Sequence, residues 1–252
     1  MNLLLLDPAE VDATGRVRVT EERARHLREV LAVRPGQLLR AGLTGGPQGR
    51  ARVLEVSDAH VLLEFEVQAA PELERPRPEL HLVLALPRPK ILPRAVEAAV
   101  TLGVTSLSLV NAWRVERAYF ASPKLAEAEL QGVVRRACEQ ARDTYLPPVE
   151  VFPLLMPFVE ARLRPWLGQP HTVGLVAHPG GELLERATSQ DEEPERWVLA
   201  IGPEGGWVER ELQTFEALGM RRISLGERIL RTEHAVVSLL SQLTLLQRCR
   251  RG

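Results

Sequence analysis

Two short loops near the carboxyl end carry the residues best suited to chemistry. The first is Gly202-Pro203-Glu204-Gly205-Gly206, entered from the apolar run that ends in Ala200-Ile201. The second runs Leu225-Gly226-Glu227-Arg228-Ile229-Leu230-Arg231 and leads into Thr232-Glu233. Each reads as strand, glycine-containing loop, helix. Glycine admits positive φ and close approach to the backbone, and helix N-termini offer unpaired N–H donors. Two such loops, one helix apart, point to a single pocket built twice from main-chain N–H and C=O groups. An anion, or a cofactor with many polar edges, suits it. The first loop lacks the Gly-Lys-Ser/Thr of a Walker phosphate loop and the Gly-x-Gly-x-x-Gly of a dinucleotide site. On spacing alone an ordinary tight turn reads equally well.

The elements that must position these loops show as alternation. Strands over residues 80–86, 106–110, 172–177, 197–201 and 222–225 are interleaved with helices over 92–102, 125–142, 208–218 and 232–248. This predicts an α/β sheet, mostly parallel and covered on both faces. Upstream, residues 3–6, 37–41, 50–56 and 60–67 are strand candidates. They surround one helix that Thr20 caps and Pro35-Gly36 stops. A small barrel-like domain over residues 1–71 is expected, then a proline- and charge-rich linker over 72–78, then a second domain over 79–252. The last helix is apolar on most of its circumference between Ala235 and Leu246. Such a helix is buried on more than one side, and a second copy of the chain is the natural cover, so a homodimer is expected.

Composition sets the bounds. The 252 residues, 45% of them hydrophobic with a net charge of -1, describe a globular protein with a sizeable core. No apolar run reaches the length of a membrane span. Residues 3–6 are too short for a signal-peptide core, so no membrane association and a cytoplasmic location are expected. Cys138 and Cys249 lack metal-type spacing and no histidine pair has H-x-x-x-H spacing, so no metal is expected. The basic residues are arginine apart from Lys90 and Lys124. Arginine suits bidentate phosphate and base contacts, and for an RNA partner local clustering counts more than net charge.

Taken as a string, Ile201-Gly202-Pro203-Glu204-Gly205-Gly206 with Leu225-Gly226-x-Arg228-Ile229-Leu230-Arg231-Thr232-Glu233 resembles the C-terminal signature of the RsmE family. These are uracil-N3 methyltransferases of 16S ribosomal RNA in the SPOUT superfamily. Ala177-His178-Pro179, Cys138-Glu139-Gln140, Leu102-Gly103-Val104, His26, Val30-Leu31 and Pro35-Gly36 extend the resemblance over nearly the whole chain. The chain departs from the family pattern at Ala98, Thr101, Trp113 and Asp143, all in the half of the domain expected to face RNA. The resemblance implies a PUA-like RNA-binding N-terminal β-barrel and a SPOUT α/β domain with a trefoil knot. It also implies S-adenosylmethionine as cofactor, a homodimer, and the small ribosomal subunit as partner, with methylation at U1498. Alternatives are a SPOUT enzyme for another ribosomal or transfer RNA site, and an RNA-binding assembly factor without catalysis.

The implied site follows residue by residue. Cofactor contacts fall on Ala177, His178, Gly202, Pro203, Glu204, Gly205, Gly206, Leu225, Gly226, Ile229 and Leu230. Arg231 is expected to stabilise the uracil oxygens or place the target phosphate. Glu204 is the first candidate for the proton acceptor and Glu233 the second. Glu204 could equally hold its loop by accepting main-chain N–H bonds, and Glu233 could simply favour the helix start. RNA contacts are expected from Arg23, Arg25 and Arg28 on the N-terminal helix and from Arg114, Arg117 and Arg142.

Overall fold

The structure is a computed structural model that describes residues 2–68, 78–188 and 194–251. The expected linker therefore lies outside the described residues except for Pro78. The chain divides into two compact units, Met1–Glu74 with Arg135–Leu146, and Arg75–Val134 with Pro147–Gly252. The division differs from a simple cut at the linker, because Arg135–Leu146 groups with the N-terminal unit.

In the first unit, strands β1 (Leu4–Leu6) and β2 (Arg16–Thr20) precede helix α1 (Glu21–Arg25). Strands β3 (Leu38–Leu43), β4 (Gln48–Val56) and β5 (His60–Val67) follow. They pair in the order β1-β3-β4-β5-β2, with β1–β3 parallel and the other pairs antiparallel. Among the described residues this is an open five-stranded sheet, not a closed barrel. Alternation buries one face: Val17 and Val19 of β2, Ala51 and Val53 of β4, and Val61 and Leu63 of β5 pack with Leu4, Leu6 and Leu27. β2 escaped the sequence reading, although Arg-Val-Arg-Val-Thr alternates cleanly. Helix α1 does form after Thr20, then loosens into a π-type turn over His26–Val30. Thr20 makes no side-chain cap bond. The returning segment is stitched in by Thr144 Oγ1, which donates to the Gly46 carbonyl at 2.8 Å. Gln48 Nε2 donates to the Arg142 carbonyl at 2.8 Å, and Arg135 pairs with Asp7 at 2.9 Å.

In the second unit β6 (Glu79–Ala85) is followed by α2 (Leu92–Thr101) and β7 (Ser106–Val110); helix α3 (Glu127–Ala141) begins in this unit and ends in the first, and β8 (Val149–Phe152) follows in the second. Short helices α4 (Leu155–Phe158) and α5 (Arg164–Leu167) flank a π-type turn at Val159–Leu163. Then come β9 (Thr172–Leu183), α6 (Leu184–Ala187), β10 (Arg196–Ile201), α7 (Glu209–Ala217), β11 (Arg221–Ser224) and α8 (Thr232–Arg251). The six strands order as β11-β9-β10-β6-β7-β8, and every pairing is parallel. The central strands β6 and β10 are almost wholly apolar and buried, as a sheet covered on both faces requires. Helix α8 returns across the sheet to touch α2 and β10. It buries Val236, Leu239, Leu240 and Leu243 at helical spacing, while Val237 and Leu245 remain 44% and 49% exposed. One chain therefore covers only one side of the helix.

Candidate functional site

β10 and β11 end on either side of an interruption in their common neighbour β9, and that interruption and the loops after β10 and β11 enclose a cleft. In open α/β sheets ligands bind in such a place, outside the carboxyl ends of the strands. The cleft spans about 770 Å³, open solvent at its mouth included.

One wall comes from an irregularity in β9. Its pairing with β11 jumps from Val176 to Glu182, and of the residues skipped in that register Ala177–Gly180 line the cleft. Gly181 makes this possible: a Cβ there would lie 2.7 Å from the Ile223 carbonyl carbon. Ser224 Oγ fastens the excursion by donating to the Gly181 carbonyl at 2.8 Å.

The second wall is the loop after β10. The Gly206 N–H donates to the Pro203 carbonyl at 2.7 Å and closes a tight turn, with Gly206 at φ +72. Neighbouring segments hold this loop from outside the cleft. Glu204 Oε1 accepts the Arg88 N–H at 3.1 Å, and the Arg114 guanidinium donates to the Gly205 carbonyl. Just beyond, the buried carboxylate of Glu211 accepts two main-chain donors. One is Val208 N–H at 2.9 Å, which caps α7, and the other is Trp113 N–H at 2.7 Å, after β7. The third wall runs from Leu225 to Leu230 through Gly226 at φ +104. It ends where the Arg231 carbonyl accepts the Ala235 N–H at 2.8 Å and starts α8.

Of the residues expected to touch a cofactor, Ala177, His178, Gly202, Gly206, Leu225, Gly226, Ile229 and Leu230 line the cleft together. Pro203, Glu204 and Gly205 do not line it. Pro203 is buried, Gly205 faces Arg114, and Glu204 turns to Arg88. Gly180, Ser224 and Thr232 also line it but were not among the expected cofactor contacts. The Gly-Gly pair after His178-Pro179 was the available signal for Gly180. A Cβ at Gly180, Gly206 or Gly226 would meet no protein atom within 4 Å. The chain thus leaves open space beside main-chain donors and acceptors at all three corners, which fits a ligand read by backbone groups.

Among the expected catalytic side chains, Arg231 is exposed and Glu233 is half-buried in the first turn of α8. The arginines expected to meet RNA differ in their surroundings. Arg23 donates to Glu10 and to the Leu5 carbonyl, each at 2.7 Å, and Arg28 donates to the carbonyls of Ser57 and Asp58. Arg25 lies 3.7 Å from Glu22. Arg117 and Arg142 are exposed, the latter at φ +61 just past α3. Among the described residues no group of three His, Cys, Asp or Glu could hold a metal ion, and no helix is long and apolar enough to cross a membrane.

An all-parallel sheet with a glycine-walled cleft at its carboxyl edge defines a cofactor-binding α/β domain. Residues 74–244 match the family model described as an RNA methyltransferase domain, and the chain belongs to that family. Its relatives include the ribosomal RNA small subunit methyltransferase E of Treponema pallidum, 29% identical over 93% of this chain and 87% of that protein. The protein of the same name from Synechocystis is 28% identical over 96% and 77%. A crystal structure of ribosomal RNA small subunit methyltransferase E from Neisseria gonorrhoeae bound to S-adenosyl methionine superposes with a TM-score of 0.79. It is 25% identical over 98% of both chains. The resemblance to the RsmE family drawn from the two loops is borne out.

Proposed function

We propose that this chain transfers a methyl group from S-adenosylmethionine to N3 of one uridine, U1498, in 16S ribosomal RNA of the small subunit. It would act as a cytoplasmic homodimer. The observation that carries the reading is the cleft walled by glycine-bearing segments at the break in β9 and after β10 and β11. The cofactor in the Neisseria relative supports the same assignment. When bound, the cofactor supplies an electrophilic methyl group on sulfur.

The remaining tasks fall to this chain. Main-chain groups from Ala177 to Gly180, at Gly202 and Gly206, and from Leu225 to Leu230 hold and orient the ligand and exclude water. Pro203 and Gly205 keep the second wall in shape. Arg231, exposed where α8 begins, stabilises charge developing on the uracil carbonyl oxygens. Glu204 does not line the cofactor cleft; with Oε1 on the Arg88 N–H, its Oε2 is the first candidate to take the N3 proton of a uridine placed over that wall. Glu233 complements the positive end of α8 and is the second candidate for the proton.

The first unit is read as a PUA-like RNA-binding module. Arg25, Arg117 and Arg142 meet RNA, whereas Arg23, Arg28 and Arg114 brace the surfaces that present them. The return of α8 to α2 and β10, after β11 has paired outside β9, is read as the knotted path of a SPOUT domain. Mass spectrometry of small-subunit RNA from cells lacking the protein should show the loss of one N3-methyluridine, restored by complementation. An unchanged modification pattern would overturn the target, and no calorimetric response to millimolar S-adenosylmethionine would overturn the cofactor.

A further inference from the structure

Trp113 follows β7 at the carboxyl edge of the sheet, and its side chain is 82% exposed. An indole on the surface forgoes the burial that makes tryptophan useful inside a protein. Its backbone is nonetheless fixed. Ala112 and Val115 on either side are buried, and the Trp113 N–H is held by the Glu211 carboxylate at 2.7 Å. The next residue, Arg114, lies against the glycine turn that walls the cleft: a Cβ at Gly205 would come within 3.0 Å of Arg114 Cδ. The ring is thus displayed on a rigid support beside the cleft.

Arginines follow it in the chain. Arg114 is held by the Gly205 carbonyl, Arg117 is exposed, and Arg88 lies beside Tyr119 in the same unit. The nearest acid in sequence, Glu116, is engaged by the Tyr119 hydroxyl, which donates to it at 2.9 Å. An exposed aromatic face in an arginine-bearing segment is the chemistry that holds single-stranded nucleic acid. Bases stack on the ring, and arginine meets phosphate or adds cation–π attraction. A duplex has no free base face to offer, so the occupant is an unpaired base.

We propose that Trp113 is a stacking platform for an unpaired base of the RNA substrate, a positioning residue beside the methyl-transfer cleft. The identity of the ligand as RNA rests on the methyltransferase reading above.

The chain carries its own probe. Of its 4 tryptophans, Trp197 and Trp207 are buried and Trp166 is half-buried against the His81 ring at 4.4 Å. Trp113 therefore dominates the fluorescence that acrylamide can reach. The full chain is titrated with single-stranded oligouridylate and, separately, with a duplex RNA of equal length. The single strand should quench that emission and the duplex should not. Trp113→Ala should weaken oligouridylate binding about ten-fold, and Trp113→Phe should stay within about three-fold of wild type. KM for small-subunit RNA should rise about ten-fold in Trp113→Ala, with a smaller effect on kcat and normal cofactor affinity. The salt slope should persist in Trp113→Ala and fall by about one in Arg117→Ala.

Equal oligouridylate affinity and equal KM in Trp113→Ala would overturn the proposal. So would a Trp113→Ala chain that sediments as monomer where wild type is a dimer, because the indole would then belong to a protein interface. A wild-type chain that ignores S-adenosylmethionine, yet is still quenched through Trp113, would remove the methyltransferase reading and leave the stacking role standing.

Discussion

At the scale of residues, the cleft depends on where side chains are missing and on which carboxylates are already engaged. Gly206 sits at φ +72 with open space before it, so a β-branched residue there would be strained and would also intrude on the ligand. Gly206→Val should abolish S-adenosylmethionine binding, and unchanged affinity by calorimetry would contradict the placement. Glu204→Gln keeps an oxygen for the Arg88 N–H but removes the proton acceptor. Methyl transfer should slow by ~100- to 10,000-fold with cofactor affinity unchanged, and a wild-type rate would eliminate Glu204 as the base. The glycine loops were legible because glycine between strand and helix has a local meaning. Gly181 and Glu211 were not, since their partners, the Ile223 backbone and the Trp113 N–H, are remote in sequence. Arg23 read as an RNA-facing cation for the same reason: its partners Glu10 and the Leu5 carbonyl are brought to it only by the fold.

At the scale of elements, strong periodicity was read correctly. Residues 60–67 and 106–110 form β5 and β7 as expected, and α2 and α7 lie within a residue of their expected bounds. What escaped, β2 apart, was short or carried prolines. β8 follows Pro147-Pro148, and the helical stretch after it tolerates Pro157 and Pro165 only by breaking into short pieces around a π-type turn. The loop expected over 42–49 is shorter, because Gly42 and Leu43 extend β3 and Gln48 and Gly49 begin β4.

Packing at the start of β6 has a consequence for pH. His81 is buried, stacked on Trp166 of α5, and its ring Nδ1 lies 2.7 Å from Ser106 Oγ. Burial pushes its pKa down from 6.5 to about 4; Arg196 adds to the shift and the Glu79 carboxylate opposes it. The unfolded chain thus binds a proton in a window where the folded one does not. Stability should be complete above pH 6.5 and fall as pH drops towards 4. The loss from this group is at most about 3 kcal/mol. Urea melts of His81→Asn should lack that portion of the slope. In the last helix Leu240→Ala should cost ~2–5 kcal/mol through the cavity it leaves.

At the scale of the whole molecule, the uncovered side of α8 bears on assembly. Val237 and Leu245, with Ile229 at 84% exposure in the preceding loop, form apolar surface that a single chain leaves in water. Sedimentation should give twice the 28.1 kDa chain mass, and Val237→Asp should shift the population to monomer while the chain remains folded. RNA affinity should fall steeply with added salt, as phosphate contacts demand.

The first unit also closes on a segment that arrives late. Its Gly46 and Gln48 bond to Thr144 and Arg142, so a ribosome synthesising the chain must deliver it as far as Leu146 before that unit can be finished. Until then Gly46 and Gln48 lack these partners, although α2 and β7 have already been made. The order of synthesis thus runs against the order of completion, and a nick near the linker would separate the early sheet from the strap that seals it.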